Sequence, residues 1–233
     1  MLQFKQYQIG KNPHNLIIFL HGYNGNLDDH QYAIDWMQQY FKNCYFLTPL
    51  APEVCDKNPQ KKQWFGMEKY DADMRRKAST TSIEEIFAIY ETTAEEIAAK
   101  AYLVNEFITK QQKKFCIDNA HTFLLGFSQG AMLAIYTALT RTKNIGGVFA
   151  FSGLVAGKEA LSVQKKANPP IYMFHGVQDM HVQYKTLAAS LAWLSKNNIA
   201  AHGITYDDLK HRINEDEIKK TAYFIAQLVQ TSA

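Results

Sequence analysis

The chain has only three cysteines, Cys44, Cys55 and Cys116, in 233 residues. An odd number without CxxC spacing argues against a disulfide framework and against a zinc site. Long apolar runs are missing too. None approaches the length that spans a bilayer, so no stable membrane insertion is expected. The opening MLQFKQYQIGKNPHN lacks an apolar h-region and a small-residue cleavage site, so it does not read as a signal peptide. Together these features point to the cytoplasm. No internal repeat, low-complexity tract or Pro/Gly/Ser linker divides the sequence, and residues 1–233 read as one domain. Strong charge of either sign is also absent, with a net charge of +3. The basic residues are scattered as Lys61-Lys62, Arg75-Arg76-Lys77, Lys113-Lys114 and Lys165-Lys166. Without aromatic interleaving these read as solvated loops and helix ends, and no nucleic-acid partner is expected.

What is present is a hydrophobic content of 47%, enough for a packed core. Short apolar runs at Leu16–Leu20, Tyr45–Thr48, Thr122–Leu125, Gly147–Phe151 and Ile171–Phe174 suit buried strands. Ala200–Tyr206 is a weaker candidate, and Leu2–Ile9 an edge strand. Between them lie helical patterns. Ser82 with Glu85 resembles a capping box and opens an amphipathic stretch to about Thr109. Gln129–Thr140 and Tyr184–Lys196 follow, and Asn214 with Glu217 caps a last helix over Glu215–Gln230. Strands alternating with helices imply an α/β fold, a mostly parallel central sheet with helices on both faces. Pro49–Thr81 fits no element well and reads as a flap beside an active site.

Gly126-Phe127-Ser128-Gln129-Gly130 satisfies G-x-S-x-G. Chance gives such a match in on the order of one chain in ten, so the motif alone is weak. Its setting is stronger: it follows TFLL directly and opens the helix QGAMLAIYTAL. A strand–turn–helix elbow raises the serine hydroxyl above the carboxyl ends of the strands, with glycines where side chains would clash. The plainer alternative for Ser128 is an ordinary helix N-cap.

A serine nucleophile needs a base, and this elbow is followed in chain order by an acid and then a histidine. Asp179 lies in HGVQD, just beyond a strand. Of the histidines after it, His181 is too near in sequence and His202 begins a strand. His211 follows a strand and precedes the capped helix, which is the required place. Asp207 and Asp208 are rival acids, although they share the loop of His211. One oxyanion donor is the N–H of Gln129 at its helix start, and the N–H of Tyr23 in HGYNGN is the choice for the second. That turn also has a plainer reading as a Gly-rich loop without a role. His21 and His175, which end strands in His-Gly pairs, read as structural.

The set HGYNGN, QWFGM, GFSQGA, FSGL, HGVQD and the late His211 resembles the phospholipase/carboxylesterase family, which includes acyl-protein thioesterases. The resemblance runs from Leu16 to the last helix. It implies the α/β-hydrolase fold, with Ser128 as nucleophile, His211 as base then acid, and Asp179 orienting the imidazole. It implies oxyanion donors at Tyr23 and Gln129, and substrate contacts from Trp64 and Phe65 near an acyl groove and from Leu154. Three positions depart from the family pattern: Val177 where Asp is common, Lys210 where a small residue precedes the histidine, and Ala131 in place of a second glycine. None removes a catalytic group.

The expected reaction is two-step acyl transfer to water from a small ester or thioester with a short-to-medium acyl chain, requiring no metal or organic cofactor. Lysophospholipids and S-acylated proteins enter as substrates through the resemblance alone. Two alternatives remain: a ligand-binding protein without useful turnover, for which Lys210 is the one foothold, and a peptidase or amidase using the same nucleophile.

Overall fold

The apolar runs of the sequence become the inner strands of one sheet. The computed structural model describes residues 2–67 and 81–231. In chain order these form β1 (Phe4–Ile9), β2 (Asn15–Leu20), α1 (Gln31–Tyr40), β3 (Cys44–Pro49), β4 (Glu53–Cys55) and β5 (Asn58–Gln63). Then come α2 (Ile83–Glu91), α3 (Ala94–Phe115), β6 (Thr122–Phe127), α4 (Gln129–Thr140), β7 (Gly147–Phe151) and α5 (Lys158–Gln164). The chain continues through β8 (Ile171–Gly176), α6 (Lys185–Lys196), β9 (Ala201–Tyr206) and α7 (Glu215–Thr231). The main sheet has the order β1-β3-β2-β6-β7-β8-β9. Its edge strand β1 pairs antiparallel with β3, and every other pairing in it is parallel.

Side-chain alternation divides the strands between two cores, because successive residues point to opposite faces. Leu16, Ile18, Leu20, Leu124, Val148 and Ala150 face one side, covered by α2 to α6. Ile17, Phe19, Phe123, Leu125, Phe149 and Phe151 face the other, covered by α1 and α7. The second face is rich in rings that stack between neighbouring strands: Phe151 on Phe174 at 5.2 Å and Phe149 on Tyr172 at 5.1 Å. Offset ring pairs of this kind add packing energy beyond buried area, about 0.5–1.5 kcal/mol each.

Two elements differ from the sequence reading. The stretch expected as one helix from Ser82 is two, because Thr92 and Thr93 turn their hydroxyls back onto the carbonyls of Ile89 and Tyr90, at 2.7 and 2.8 Å. The segment expected as a structureless flap carries the β4–β5 hairpin over its first part; residues 68–80 lie outside the described residues. Among the described residues no helix is long and apolar enough to cross a membrane.

Candidate active site

The turn from β6 into α4 carries the serine. Ser128 has φ 54° and ψ −116°, a conformation that a non-glycine residue adopts at a cost of about 1–3 kcal/mol. Backbone bonds hold it there: its N–H donates to the Phe151 carbonyl at 2.8 Å, and its carbonyl accepts from Ala131 and Met132 at 3.0 and 3.1 Å. The flanking glycines are steric necessities. A Cβ on Gly126 would stand 2.2 Å from the Gly130 carbonyl oxygen, and one on Gly130 would stand 2.1 Å from that of Leu20. The start of α4 is thereby packed against the end of β2. The N-cap alternative fails, since the Ser128 side chain makes no capping bond.

Its hydroxyl instead faces His211, with Nε2 to Oγ at 3.0 Å. His211 Nδ1 lies 2.7 Å from Asp179 Oδ2. A carboxylate can only accept, so Nδ1 carries the proton and Nε2 presents its lone pair to the serine. Asp179 is buried at 2% exposure. Burial alone would raise its pKa. The His211 hydrogen bond, the nearby imidazoles and the N–H of His181 outweigh that and hold it below the ordinary value. Oδ1 accepts from the N–H groups of His181 and Val182 at 2.8 and 3.0 Å. The rival acids are elsewhere. Asp207 and Asp208 are exposed, and Asp208 accepts from Gln178 at 3.4 Å. Lys210 points outward and leaves both His211 contacts intact.

The other strand-end histidines bond to backbone. His21 accepts the Ala51 N–H on Nε2 at 3.0 Å and donates from Nδ1 to the Gly22 carbonyl at 2.7 Å. His175 donates to the Val182 carbonyl at 2.8 Å. Burial lowers the pKa of both, which favours the uncharged form. His202 sits near the amino end of β9, stacked on Tyr172 at 5.1 Å.

The N–H groups of Tyr23 and Gln129 have no acceptor among the described residues. Tyr23 borders the cleft from the turn after β2, and Gln129 follows Ser128 as the first residue of α4. Trp64 ties these two segments together. Its indole N–H donates to the His21 carbonyl at 2.9 Å, and its backbone N–H donates to Gln129 Oε1 at 2.8 Å.

That bracing corrects one expectation. Trp64, Phe65 and Leu154 are each fully buried in the core beneath α2–α6 and do not line the open cleft. The indole and the two backbone groups of the Trp64-Phe65 turn need hydrogen-bond partners, and they find them inside the protein rather than in a groove. The cleft itself, about 770 Å³, is bordered by Tyr23, Asn24, His30, Lys57, Asn58 and His181 beside Ser128 and His211. Burial pushes His30 down to about 4, so it is neutral at pH 7. His30, Lys57 and Asn58 carry no sequence signal, because they sit in irregular turns whose mutual approach is set by the sheet.

The phospholipase/carboxylesterase family model matches residues 7–229. A probable carboxylesterase SOBER1-like protein of Arabidopsis thaliana is 28% identical over 120 residues, covering 50% of this chain and 46% of that protein. Acyl-protein thioesterase 1 of Candida albicans is 28% identical over 137 residues, 55% of this chain and 58% of that protein. The chain thus spans about half the length of these curated relatives. The solved structure of esterase PE8 matches with a TM-score of 0.80 at 25% identity, covering 97% of this chain and 99% of that one. With a serine elbow on a mostly parallel sheet covered on both faces, the chain has the α/β-hydrolase fold and belongs to the phospholipase/carboxylesterase family.

Proposed function

We propose that this chain is a carboxylic ester hydrolase that cleaves short-to-medium acyl esters or thioesters through a serine acyl-enzyme. The observation that carries this reading is the relay from Ser128 Oγ to His211 at 3.0 Å and on to Asp179 at 2.7 Å. In this scheme Ser128 attacks the acyl carbonyl while His211 Nε2 takes its proton. Asp179 holds the tautomer and stabilises the imidazolium. The N–H groups of Tyr23 and Gln129 donate to the developing oxyanion, an interaction worth about 3–4 kcal/mol per donor in comparable sites. His211 then protonates the leaving alcohol or thiol, and water activated by the same nitrogen releases the acid.

The cleft border mixes the polar Asn24, Lys57, Asn58 and His181 with the apolar Met67, Tyr90, Phe127 and Val182, which supports a short-to-medium acyl group. Three free thiols fit a reducing compartment such as the cytoplasm. The test is hydrolysis of p-nitrophenyl esters from acetate to laurate, and of the matching S-acyl thioesters, with Ser128→Ala alongside. Turnover highest at acetate to hexanoate and abolished in the variant is expected. A folded wild-type protein without turnover at any length would overturn the reading in favour of a binding role.

A further inference from the structure

His181 has no part in the acyl-transfer scheme, yet its ring lies against the proposed base. The imidazoles of His181 and His211 stack with centroids 4.9 Å apart and planes inclined by 19°. Phe127 packs on the His211 ring at 4.7 Å and 41°. The backbone of His181 is anchored independently, because its N–H donates to Asp179 Oδ1. Its side chain is exposed and borders the cleft.

Two hydrogen bonds and the Cβ attachment set the mean plane of the His211 ring but leave it room to librate. A ring stacked on it, together with Phe127, narrows that motion. The stack also has an electrostatic sense. An uncharged aromatic face attracts the imidazolium that forms during acyl transfer, whereas a protonated one repels it. We propose that His181 is a positioning residue for His211: its neutral ring steadies the imidazole plane and favours the imidazolium, and its protonation withdraws that support. This rests on the hydrolase reading above.

The charged and titratable groups around the pair come from several elements. Asp29 and His30 lie in the turn before α1, with Asp29 paired to Lys61 at 2.9 Å. Tyr32 comes from α1, and Lys57 from the β4–β5 turn. Asp179 comes from the loop after β8, with His175 at the end of β8 lying 3.6 Å from its carboxylate, while Lys210 and Arg212 flank His211. None of them substitutes for a stacked ring.

The test compares wild type, His181→Ala and His181→Phe, measuring kcat and KM on p-nitrophenyl butyrate between pH 5.5 and 9, with thermal unfolding to confirm the fold. At pH 8, His181→Ala should lower kcat about fivefold, the scale of one cation–ring contact, with KM little changed. His181→Phe should restore most of that loss. The ratio of His181→Phe to wild-type kcat/KM should rise as pH falls from 8 to 6, because phenylalanine takes up no proton. An unchanged kcat in His181→Ala, or a loss that phenylalanine does not repair, would overturn the proposal. A second readout needs no turnover and so separates this proposal from the hydrolase reading. In imidazole NMR at pH 8, the His211 ring resonances should shift in His181→Ala, which removes the stacked ring, and return toward wild type in His181→Phe. Unchanged His211 resonances in His181→Ala would overturn it.

Discussion

Gln129 and Trp64 are joined side chain to backbone beneath the cleft: Gln129 Oε1 accepts the Trp64 N–H at 2.8 Å, and Gln129 Nε2 donates to the adjoining Phe65 carbonyl, also at 2.8 Å. All three residues are buried. The residue proposed to supply an oxyanion donor with its backbone therefore uses its side chain to fix the aromatic turn, and Trp64 in turn grips the His21 carbonyl.

Replacing Gln129 with alanine would leave a buried N–H and a buried carbonyl without partners. An uncompensated group of this kind costs about 1–3 kcal/mol. Gln129→Ala should lower stability by about 2–4 kcal/mol in urea unfolding and reduce kcat more than it raises KM. Wild-type stability in the variant would show that water replaces both bonds.

Asp179→Asn should leave the fold nearly intact and lower kcat by about 10³–10⁴-fold, because an amide in that position favours the wrong tautomer of His211. Ester turnover paired with circular dichroism tests this. A loss below tenfold would mean that Asp179 does not orient the base.

Gly130→Ala should fail sterically. Its Cβ would fall 2.1 Å from the Leu20 carbonyl oxygen and 2.5 Å from that of His21, both backbone atoms. The end of β2 and the start of α4 must then separate, displacing Tyr23 from Gln129. Soluble yield, melting temperature and turnover should all drop. Near-normal turnover would show that the two segments move apart without harm.

Glu217 gives a pH dependence of stability. Burial, with a smaller contribution from neighbouring Asp216, pushes its carboxyl up to about 8, against the opposing effect of the Asn214 N–H. Its Oε1 has no hydrogen-bond partner among the described residues. Between the ordinary carboxyl value of about 4.3 and the folded value, the folded chain holds a proton that the unfolded chain has released. This group's contribution to stability must therefore decline as pH rises through that window and level off above it. Glu217→Gln keeps an acceptor for the Asn214 N–H, bonded at 2.7 Å in the native site, and removes the ionisation. Its melting temperature should vary less with pH between 5 and 8 than that of wild type; equal slopes would refute the assignment.

The parts of the fold that could be read from sequence were those specified by local rules. β7 and α4 fall where their apolar runs and flanking residues place them, and α7 begins at the Asn214–Glu217 box. Helix α1 was not legible, because its N-cap, His30, makes no side-chain capping bond and only Ala33, Ile34 and Met37 form its buried stripe. The break between α2 and α3 is hidden from the sequence for a related reason. Thr92 and Thr93 are tolerable within a helix, and only their turned-back hydroxyls make them a boundary.

Local sequence supplies the chemistry on offer: a serine in a glycine-flanked elbow, an acid and a histidine beyond later strands, and a parallel sheet whose carboxyl ends gather such loops. Tertiary structure decided which groups meet. Ser128 and His211 are 83 residues apart, and His211 and Asp179 are 32 apart. Their contacts follow from strand order, which no local pattern contains. Trp64 and Phe65 could have faced water or core on composition alone, and buried partners drew them inward. The stacking of His181 on His211 belongs to the same class, since it exists only because two loops from different strands end at one place on the sheet.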